Sequence, residues 1–187
     1  MNAQQTTAEI FELYEKFGRA DYIGEPVSQI EHMSQAAELA LKSGADDEVI
    51  LAAFFHDIGH ICVQNDASLR MSAYGIKSHE EIGAGFLRSR GFSNRMAQLV
   101  ENHVKAKRYL TYKYPEYFNQ LSEASKQTLI FQGGMMTEGE AHEFEQDPLF
   151  EDSILLRKWD EAAKEINVPI LDLEWLKKVC MRVLSQA

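Results

Sequence analysis

The most apolar stretch of the chain, VILAAFFHDIGHI at residues 49–61, holds a histidine and an aspartate at its centre. Its apolar residues predict a helix that is buried on most sides, with Asp46 or Asp47 as its N-cap. Burying the carboxylate of Asp57 in such a helix costs roughly several kcal/mol unless it is paired or bound to a cation. The adjacent residues His56 and Asp57 therefore predict a metal site in the interior of the fold.

Helical patterns extend over nearly the whole chain. Apolar residues at helical spacing predict a first helix over residues 7–18, and strand-like alternation is absent. Further helices are predicted over residues 28–43, 78–91, 93 to about 109, 122–133 and 147–165, with two more beginning at Thr137 and Asp172. The sequence therefore predicts one all-α domain over residues 1–187.

Several residues mark where these helices begin and end. Gly44 is expected as the C′ residue after the second helix, because glycine adopts the left-handed conformation needed there. Ser78 and Thr137 are each predicted to open a capping box. Asp147, followed by Pro148, is predicted as the N-cap of a helix with proline in its first turn.

The composition excludes several classes of protein. The net charge of −10 argues against a nucleic-acid partner, since such proteins usually present a basic face. It leaves room for a small anionic substrate, because a bound metal can invert the local field. No apolar run approaches the roughly 18 residues of a membrane span, and the start is too polar and acidic for a signal peptide. With only Cys62 and Cys180 as cysteines, a cytoplasmic setting is expected.

The histidines carry most of the chemical information. The sequence contains six of them, namely His32, His56, His60, His79, His103 and His142. A lone histidine on an apolar helix is usually a core residue with one satisfied hydrogen bond, and each of these has that alternative. Histidines on several predicted helices, one of them beside Asp57, favour a metal site instead. Imidazole suits iron, manganese and zinc, and a carboxylate can bridge two such ions.

Two further features refine this metal site. The absence of nearby cysteine disfavours a zinc-thiolate structural site. His60 follows His56 by one helical turn, so it shares a helix face with it and is expected to act as a base, an orienting group or a substrate contact.

The order of these residues resembles the H…HD…D signature of the HD-domain superfamily. His32, the pair His56–Asp57 and the late Asp160 match that signature, and an HD-domain helical bundle is the fold that the resemblance implies. His79 and His103 are similar to the two extra histidines of its dinuclear members. The implied ligand set is therefore His32, His56, Asp57 and Asp160 for one metal, with Asp57 bridging to a second metal on His79 and His103.

A closer resemblance covers almost the whole chain. The runs DYIGEPVSQIEH, AAFFHDIGH, YGIKSHEEIGAGFL, RGFS, HVKAKRYL, LSEASKQTLIFQGG and LRKWDE are similar to the HD-domain di-iron oxygenases of phosphonate catabolism. The resemblance implies a mixed-valent Fe(II)/Fe(III) pair and O₂-dependent cleavage of the carbon–phosphorus bond. The implied substrate is 1-hydroxy-2-aminoethylphosphonate, giving phosphate and glycine, or its N-trimethyl analogue, giving phosphate and glycine betaine. Candidate aromatic residues Tyr22, Tyr74 and Tyr109 slightly favour the N-trimethyl substrate.

Positively charged residues lie beside two of the metal-ligand candidates. Lys107 follows His103 by one turn, with Lys105 and Arg108 next to it, and Arg157 lies one turn before Asp160. In an acidic protein such cations favour an oxyanion, and an arginine fork matches two phosphonate oxygens. The alternative is a set of solvated cations at a helix end.

The resemblance assigns three further residues. Ser125 is implied as another phosphonate contact, although a generic helix serine is the alternative. The segment around Tyr22 and Glu25 is implied to close over the site, the alternative being a surface loop. In the family the tyrosine ligates iron when substrate is absent, and the glutamate meets the substrate's cationic nitrogen. The loop Ala67–Tyr74 matches no family pattern, and His142 is expected at the surface.

Two rival functions are compatible with parts of this pattern. Most HD domains hydrolyse phosphate esters with a metal-bound hydroxide, so a phosphohydrolase acting on a small ester is one alternative, distinguished by its independence of O₂ and iron. The other is a non-enzymatic sensor or binding module on the same helical bundle. A full set of ligand positions argues against a degenerate module. The sequence therefore favours an oxygenase whose partners are a small phosphonate and O₂.

Overall fold

The computed structural model describes residues 2–22, 24–63 and 75–186. Their helices are α1 (Ala3–Phe17), α2 (Gln29–Lys42), α3 (Asp47–Phe55), α4 (Gly59–Cys62), α5 (His79–Arg88), α6 (Asn94–Lys113), α7 (Pro115–Gln120), α8 (Glu123–Phe131), α9 (Glu138–Phe144), α10 (Phe150–Ala162) and α11 (Leu173–Gln186). Over these ranges there is no strand, only one isolated antiparallel bridge between Asp21 and Ser28. The all-α prediction is confirmed.

Helix α3 forms the centre of the bundle. It packs against α2, α6, α10 and α11, and its residues 49–55 are all buried. Phe54 stacks on Tyr14 of α1 with ring centroids 4.7 Å apart, and Phe55 meets Phe54 edge-on at 5.3 Å. Since full burial of one such ring contributes roughly 1.5–3 kcal/mol, this aromatic cluster anchors α1 on α3.

The apolar run does not form one continuous helix, contrary to the prediction. It ends as α3 at Phe55, turns through residues 56–58, and resumes as α4 at Gly59. The turn contains short backbone bonds, from the Ile58 amide to the Phe55 carbonyl (3.0 Å) and from the His60 amide to the Asp57 carbonyl (2.9 Å). Such three-residue spacing tightens the chain relative to an α-helix and re-aims the side chains at its centre.

Most of the predicted caps are present. Gly44 has φ +79° after α2, and the amide of Ala45 reaches back to the Ala40 carbonyl as in a Schellman motif. Thr137 forms the predicted capping box with Glu140, and the Asp172 carboxylate accepts from the first amides of α11. Asp46 is the N-cap of α3.

The prediction of a capping box at Ser78 is wrong. Ser78 has φ +53° and makes no side-chain cap bond. A β-carbon built on Gly59 would lie 1.9 Å from the His79 carbonyl oxygen, so the start of α4 and the start of α5 are in backbone contact. This contact fixes how the chain enters α5 and overrides the local capping preference.

Helix α10 differs from the prediction at both ends. It begins at Phe150 after an N-cap at Leu149, because the predicted N-cap Asp147 accepts hydrogen bonds from the Leu149 amide (2.8 Å) and from the Asn102 side chain (3.0 Å). It ends at Ala162, before the predicted end at residue 165. The carbonyl of the next residue, Ala163, therefore accepts a hydrogen bond from His32 of α2.

Other parts of the helix prediction also differ from the structure. Helix α1 begins at Ala3 behind a capping box formed by Asn2 and Gln5, in a polar stretch without periodicity. Helix α6 runs on to Lys113, beyond the predicted end near residue 109. Helix α7, with proline in its first turn, was not predicted. Among the described helices, none has the length and apolar character that a bilayer crossing requires.

The contact at Gly59 leads to a stability prediction. Gly59→Ala should lower the free energy of unfolding by about 3 kcal/mol, since backbone rather than a flexible side chain blocks the added methyl group. Gly85→Ala on α5 is the matched control: its β-carbon meets nothing within 4 Å, and alanine should stabilise the helix by about 0.5–1 kcal/mol. Urea unfolding of both variants measures the difference, and equal effects would contradict the packing argument.

Candidate metal centre

Six buried side chains meet at the inner end of α3. His56 and Asp57 come from the turn after α3, and the others come from four further helices: His32 on α2, His79 at the start of α5, His103 on α6 and Asp160 on α10. All the residues predicted as metal ligands are thus brought together by the fold.

Three of these side chains form a first group. Nε2 of His32 lies 3.0 Å from Nε2 of His56 and 3.3 Å from Oδ1 of Asp160. Nε2 of His56 is 3.7 Å from the same Asp160 oxygen. These separations are those of neighbouring ligands around one ion whose bonds are about 2.0–2.2 Å long. His32, His56 and Asp160 can therefore hold one metal.

A second group faces the other side of Asp57. Oδ1 of Asp57 lies 3.1 Å from Nε2 of His79 and 3.5 Å from Nε2 of His103, and these two nitrogens are 3.1 Å apart. Oδ2 of Asp57 faces the first group instead, 3.4 Å from Nε2 of His56. With one oxygen toward each group, the Asp57 carboxylate is placed to bridge two ions.

Backbone carbonyls decide which ring nitrogens are free to bind a metal. Nδ1 of His32 faces the Ala163 carbonyl at 2.9 Å, and Nδ1 of His56 faces the Ala53 carbonyl at 2.8 Å. Nδ1 of His103 faces the Val100 carbonyl at 2.6 Å. Because a carbonyl only accepts, each Nδ1 carries a hydrogen, and Nε2 is the ring nitrogen left to bind a metal.

His60 has the opposite arrangement. Its Nδ1 accepts a hydrogen bond from the Ile76 amide at 3.1 Å, so the neutral ring carries its hydrogen on Nε2. That Nε2 lies 3.9 Å from Oδ1 of Asp57, and the ring stacks on His79 at 4.1 Å. His60, Asp57 and His79 are close enough to form a ligand set. The tautomer nevertheless favours His103 over His60 as a ligand candidate and leaves His60 as a donor at the edge of the site.

The two carboxylates of the group carry the negative charge that suits a cation. Burial raises the pKa of Asp57, but the imidazoles of His56 and His79 outweigh it and hold the pKa well below its ordinary value. Burial and the charge of His79 lower the pKa of His103 to about 3, so its ring stays neutral. Oδ1 of Asp160 is buried and has no hydrogen-bond donor among the described residues. An ionised carboxylate oxygen in that position fits a metal ligand.

A buried lysine lies one turn beyond His103. Lys107 is only 3% exposed, and its ammonium donates to the hydroxyl of Thr128 (2.8 Å) and to the side-chain carbonyl of Gln132 (3.0 Å). Burial and the nearby charge of Arg157 lower its pKa to about 7, against the opposing carboxylates of Asp160 and Glu161. Lys107 is therefore a dehydrated cation with neutral acceptors, and its predicted alternative of a solvated helix-end cation is wrong.

Arg157 is buried and already engaged. Its Nη1 donates to Asp160, its Nη2 to Glu161 and more weakly to the Ser125 hydroxyl at 3.4 Å, and its Nε to the Tyr117 hydroxyl at 2.7 Å. The guanidinium thus orients the metal-ligand candidate Asp160. Ser125 lies in the first turn of α8, directly beside this cation.

The segment before α2 covers the first group. The Tyr22 ring stacks on His32 with centroids 4.0 Å apart. Burial, with the charges of Asp57 and Asp160, raises the pKa of Tyr22 well above its ordinary value. Glu25 lies on the same segment and accepts from the Ser122 hydroxyl at 2.5 Å.

Other predicted residues lie elsewhere. Lys105 is exposed near Glu101, and Arg108 donates to Gly134 and Glu140, so neither joins Lys107 in the expected cationic spot. Tyr109 packs against Phe144 and donates to Glu145, away from the ligand candidates.

His142 and the loop Ala67–Tyr74 complete the set of predicted residues. His142 is exposed, as predicted. The loop Ala67–Tyr74, with Tyr74, lies outside the described residues.

Two residues near the site were not predicted. Tyr117 supports Arg157 from α7, and Lys164 lies 3.1 Å from Glu25, just after α10. Tyr117 belongs to a helix that the sequence did not reveal. The position of Lys164, one turn after Asp160 on a predicted helix, could have indicated from the sequence that it lies near the site.

Comparisons with known proteins agree with this geometry. Residues 30–162 match the model of the HD domain. A [1-hydroxy-2-(trimethylamino)ethyl]phosphonate dioxygenase (glycine-betaine-forming) of Leisingera caerulea is 40% identical over 93% of this chain and 88% of its own length. A hydroxymethylphosphonate dioxygenase of Gimesia maris is 40% identical over 88% of this chain and 81% of its own length. An uncharacterised protein of Acanthamoeba polyphaga mimivirus is 45% identical over 98% of this chain and 84% of its own length.

The bridging position of Asp57 leads to a prediction about metal content. Anaerobic loading with Fe(II) should give about two ions per chain, counted by elemental analysis after desalting. Asp57→Ala should lose both ions because its carboxylate serves each group, whereas His103→Ala should mainly lose one. The exposed His142→Ala is the matched control and should keep both. Saturation at one ion in the unmodified protein would overturn the dinuclear assignment.

Proposed function

The chain belongs to the HD-domain family, and we propose that it is a metal-dependent oxygenase that cleaves the carbon–phosphorus bond of a 1-hydroxyphosphonate. One observation carries this proposal: the two oxygens of Asp57 face different imidazole groups, beside the buried cation Lys107. Two relatives that align over most of the chain are named as phosphonate dioxygenases, and they support the same reaction class.

We propose two iron ions as the cofactor, in a mixed-valent Fe(II)/Fe(III) state. His32, His56 and Asp160 would hold one, His79 and His103 the other, with Asp57 between them. Nitrogen and oxygen donors without sulfur suit iron, and when bound the pair supplies the redox chemistry with O₂.

The proposed reaction balances without any further reductant. R–CH(OH)–PO₃H₂ and O₂ give R–COOH and H₃PO₄. The C–H and C–P bonds of C1 break, C1 and phosphorus each gain a new bond to oxygen, and O₂ is reduced by the electrons that the substrate releases.

The protein's own side chains bind and orient the phosphonate. Lys107 offers a dehydrated ammonium one turn from His103, where a phosphonate oxygen would replace a neutral acceptor with a charged one. Ser125 presents its hydroxyl in the first turn of α8, where backbone amides also favour an anion. Arg157 contributes its charge while it holds Asp160 in place.

Two further groups act at the rim. His60 carries a hydrogen on Nε2 and would donate it to a bound substrate or product. Tyr22 lies flat on His32 and covers that side of the first group. A substrate that reaches this group displaces the tyrosine, so the segment around Tyr22 would act as a cover.

The nitrogen substituent of the substrate is the finer part of the proposal. The slight preference for the N-trimethyl form rested on three tyrosines. Of these, Tyr22 lies at the site and Tyr109 does not, while Tyr74 belongs to the loop outside the described residues. The N-trimethyl substrate therefore stays a prediction, as do the cytoplasmic location, the absence of a nucleic-acid partner and the extent of one domain over residues 1–187.

The function is tested by the O₂ dependence of phosphate release. Iron-loaded protein supplied with hydroxymethylphosphonate or either 1-hydroxy-2-ammonioethylphosphonate should release about one phosphate per O₂ consumed, measured together with an oxygen electrode and a phosphate assay. Label from ¹⁸O₂ should appear in the carboxylate product. Equal phosphate release without O₂, or rapid hydrolysis of a simple phosphate ester, would favour the phosphohydrolase instead.

The anion-binding role of Lys107 gives a separate prediction. Lys107→Met should raise KM for the phosphonate about 10- to 100-fold, since it removes a charge-assisted hydrogen bond, with iron content unchanged. Lys105→Met, at an exposed lysine on the same helix, is the matched control and should leave KM unchanged. Arg157→Lys should lower both activity and iron content, because Arg157 orients Asp160. An unchanged KM in Lys107→Met would contradict the proposed contact.

A further inference from the structure

The carboxylate of Glu25, to which the family resemblance assigns a substrate's cationic nitrogen, already contacts a cation of the protein. Oε1 of Glu25 lies 3.1 Å from Nζ of Lys164 and accepts from the Ser122 hydroxyl at 2.5 Å. The side chains of Glu25 and Lys164 are only 10% and 16% exposed. Solvent therefore screens the charges of this ion pair little.

Lys164 is also held from its other side. Its ammonium donates to Oε1 of Glu161 at 2.8 Å, and Glu161 in turn accepts from Arg157. Burial lowers the pKa of Lys164, but the carboxylate of Glu161 outweighs it, so the pKa is raised and the ammonium stays charged. Charges therefore alternate from Arg157 through Glu161 and Lys164 to Glu25, and the row of four is balanced.

We propose that Lys164 is a specificity-determining residue that takes the place of a substrate ammonium on Glu25. The site would then favour 1-hydroxyphosphonates without a cationic nitrogen, contrary to the slight preference for the N-trimethyl substrate that the sequence indicated. This inference rests on the proposed function, because it concerns the substrate of the same site. It identifies a class of substrate, small and purely anionic, of which hydroxymethylphosphonate is the simplest member.

A trimethylammonium substrate meets two difficulties here. To reach Glu25 it must displace the Lys164 ammonium, and its bulky methyl groups keep its charge farther from the carboxylate than the 3.1 Å of the existing ion pair. If Lys164 stays, the two cations repel each other in a poorly solvated place.

The turn at Gly24, beside Glu25, is closely packed. A β-carbon on Gly24 would lie 2.6 Å from the β-carbon of Ala124, so the turn beside Glu25 is packed directly on α8. A short phosphonate leaves both this packing and the ion pair intact.

The test compares two substrates in matched variants. The measured quantity is the ratio of kcat/KM for hydroxymethylphosphonate to kcat/KM for 1-hydroxy-2-(trimethylammonio)ethylphosphonate. The unmodified protein should favour hydroxymethylphosphonate about tenfold or more, and Lys164→Met should shift the ratio toward the ammonium substrate by about 10- to 100-fold. Lys164→Arg keeps the cation and should keep the original preference. Lys42→Met removes the exposed ion pair with Glu38 and should shift nothing.

A double mutant separates specificity from fold stability. Because Lys164 acts through Glu25, its substitution should not change the ratio in a Glu25→Gln background. A merely structural lysine would lower activity on both substrates equally in every background. An original preference for the ammonium substrate, or a ratio that changes less than about twofold in Lys164→Met, would overturn the proposal.

Binding measurements keep this inference distinct from the proposed function. Calorimetry under anaerobic conditions gives the affinity of iron-loaded protein for each phosphonate without any turnover. Preferential binding of hydroxymethylphosphonate that Lys164→Met reverses, without O₂-dependent phosphate release, would overturn the reaction and support the role of Lys164. O₂-dependent turnover with no effect of Lys164→Met on either affinity would support the reaction and overturn the role of Lys164. Failure of both phosphonates to bind would overturn the reaction and the role of Lys164 together.

Discussion

The Asp57 carboxylate, ionised inside the most apolar part of the chain, is the interaction on which the rest of the structure depends. Buried among α3 and its neighbours, it is stable only because imidazoles approach both of its oxygens. Those imidazoles must come from different helices, so α2, α5 and α6 are positioned around one turn. The tight turn at residues 56–58 and the glycine contact that sets the start of α5 follow from this requirement.

Much of the ligand set could be predicted because its signals are local. A histidine–aspartate pair in an apolar helix is anomalous in the sequence itself, and the spacing of the other histidines follows helices with clear periodicity. The break after Phe55 and the left-handed Ser78 could not be predicted, since backbone contacts between distant segments set them. The partners of Glu25 were missed for the same reason: Ser122 and Lys164 are remote in sequence, and no pattern links them to the covering segment.

The buried cations of the site divide into two kinds. Arg157 and Lys164 are matched by carboxylates and keep their charge, whereas Lys107 contacts neutral acceptors and has its pKa lowered to about 7. A cation that is paired with a carboxylate of the protein stabilises the fold around it. A buried cation with only neutral acceptors is instead stabilised when an anion binds beside it. The sequence placed Lys107 and Arg157 together as anion contacts, and only their surroundings in the fold distinguish their roles.

The hydrogen bond from His32 Nδ1 to the Ala163 carbonyl joins the second helix to the residue that follows α10. Donors to the first group therefore span most of the chain, and the group is incomplete until the late helix has docked. Bringing His32 and Asp160 together closes a long loop, which is slow and costs conformational entropy. An ion that needs all three donors would offset this cost only once the fold is complete. Binding of an ion by this group would therefore be coupled to the docking of α10, and a chain that ends before Asp160 lacks one of the three donors.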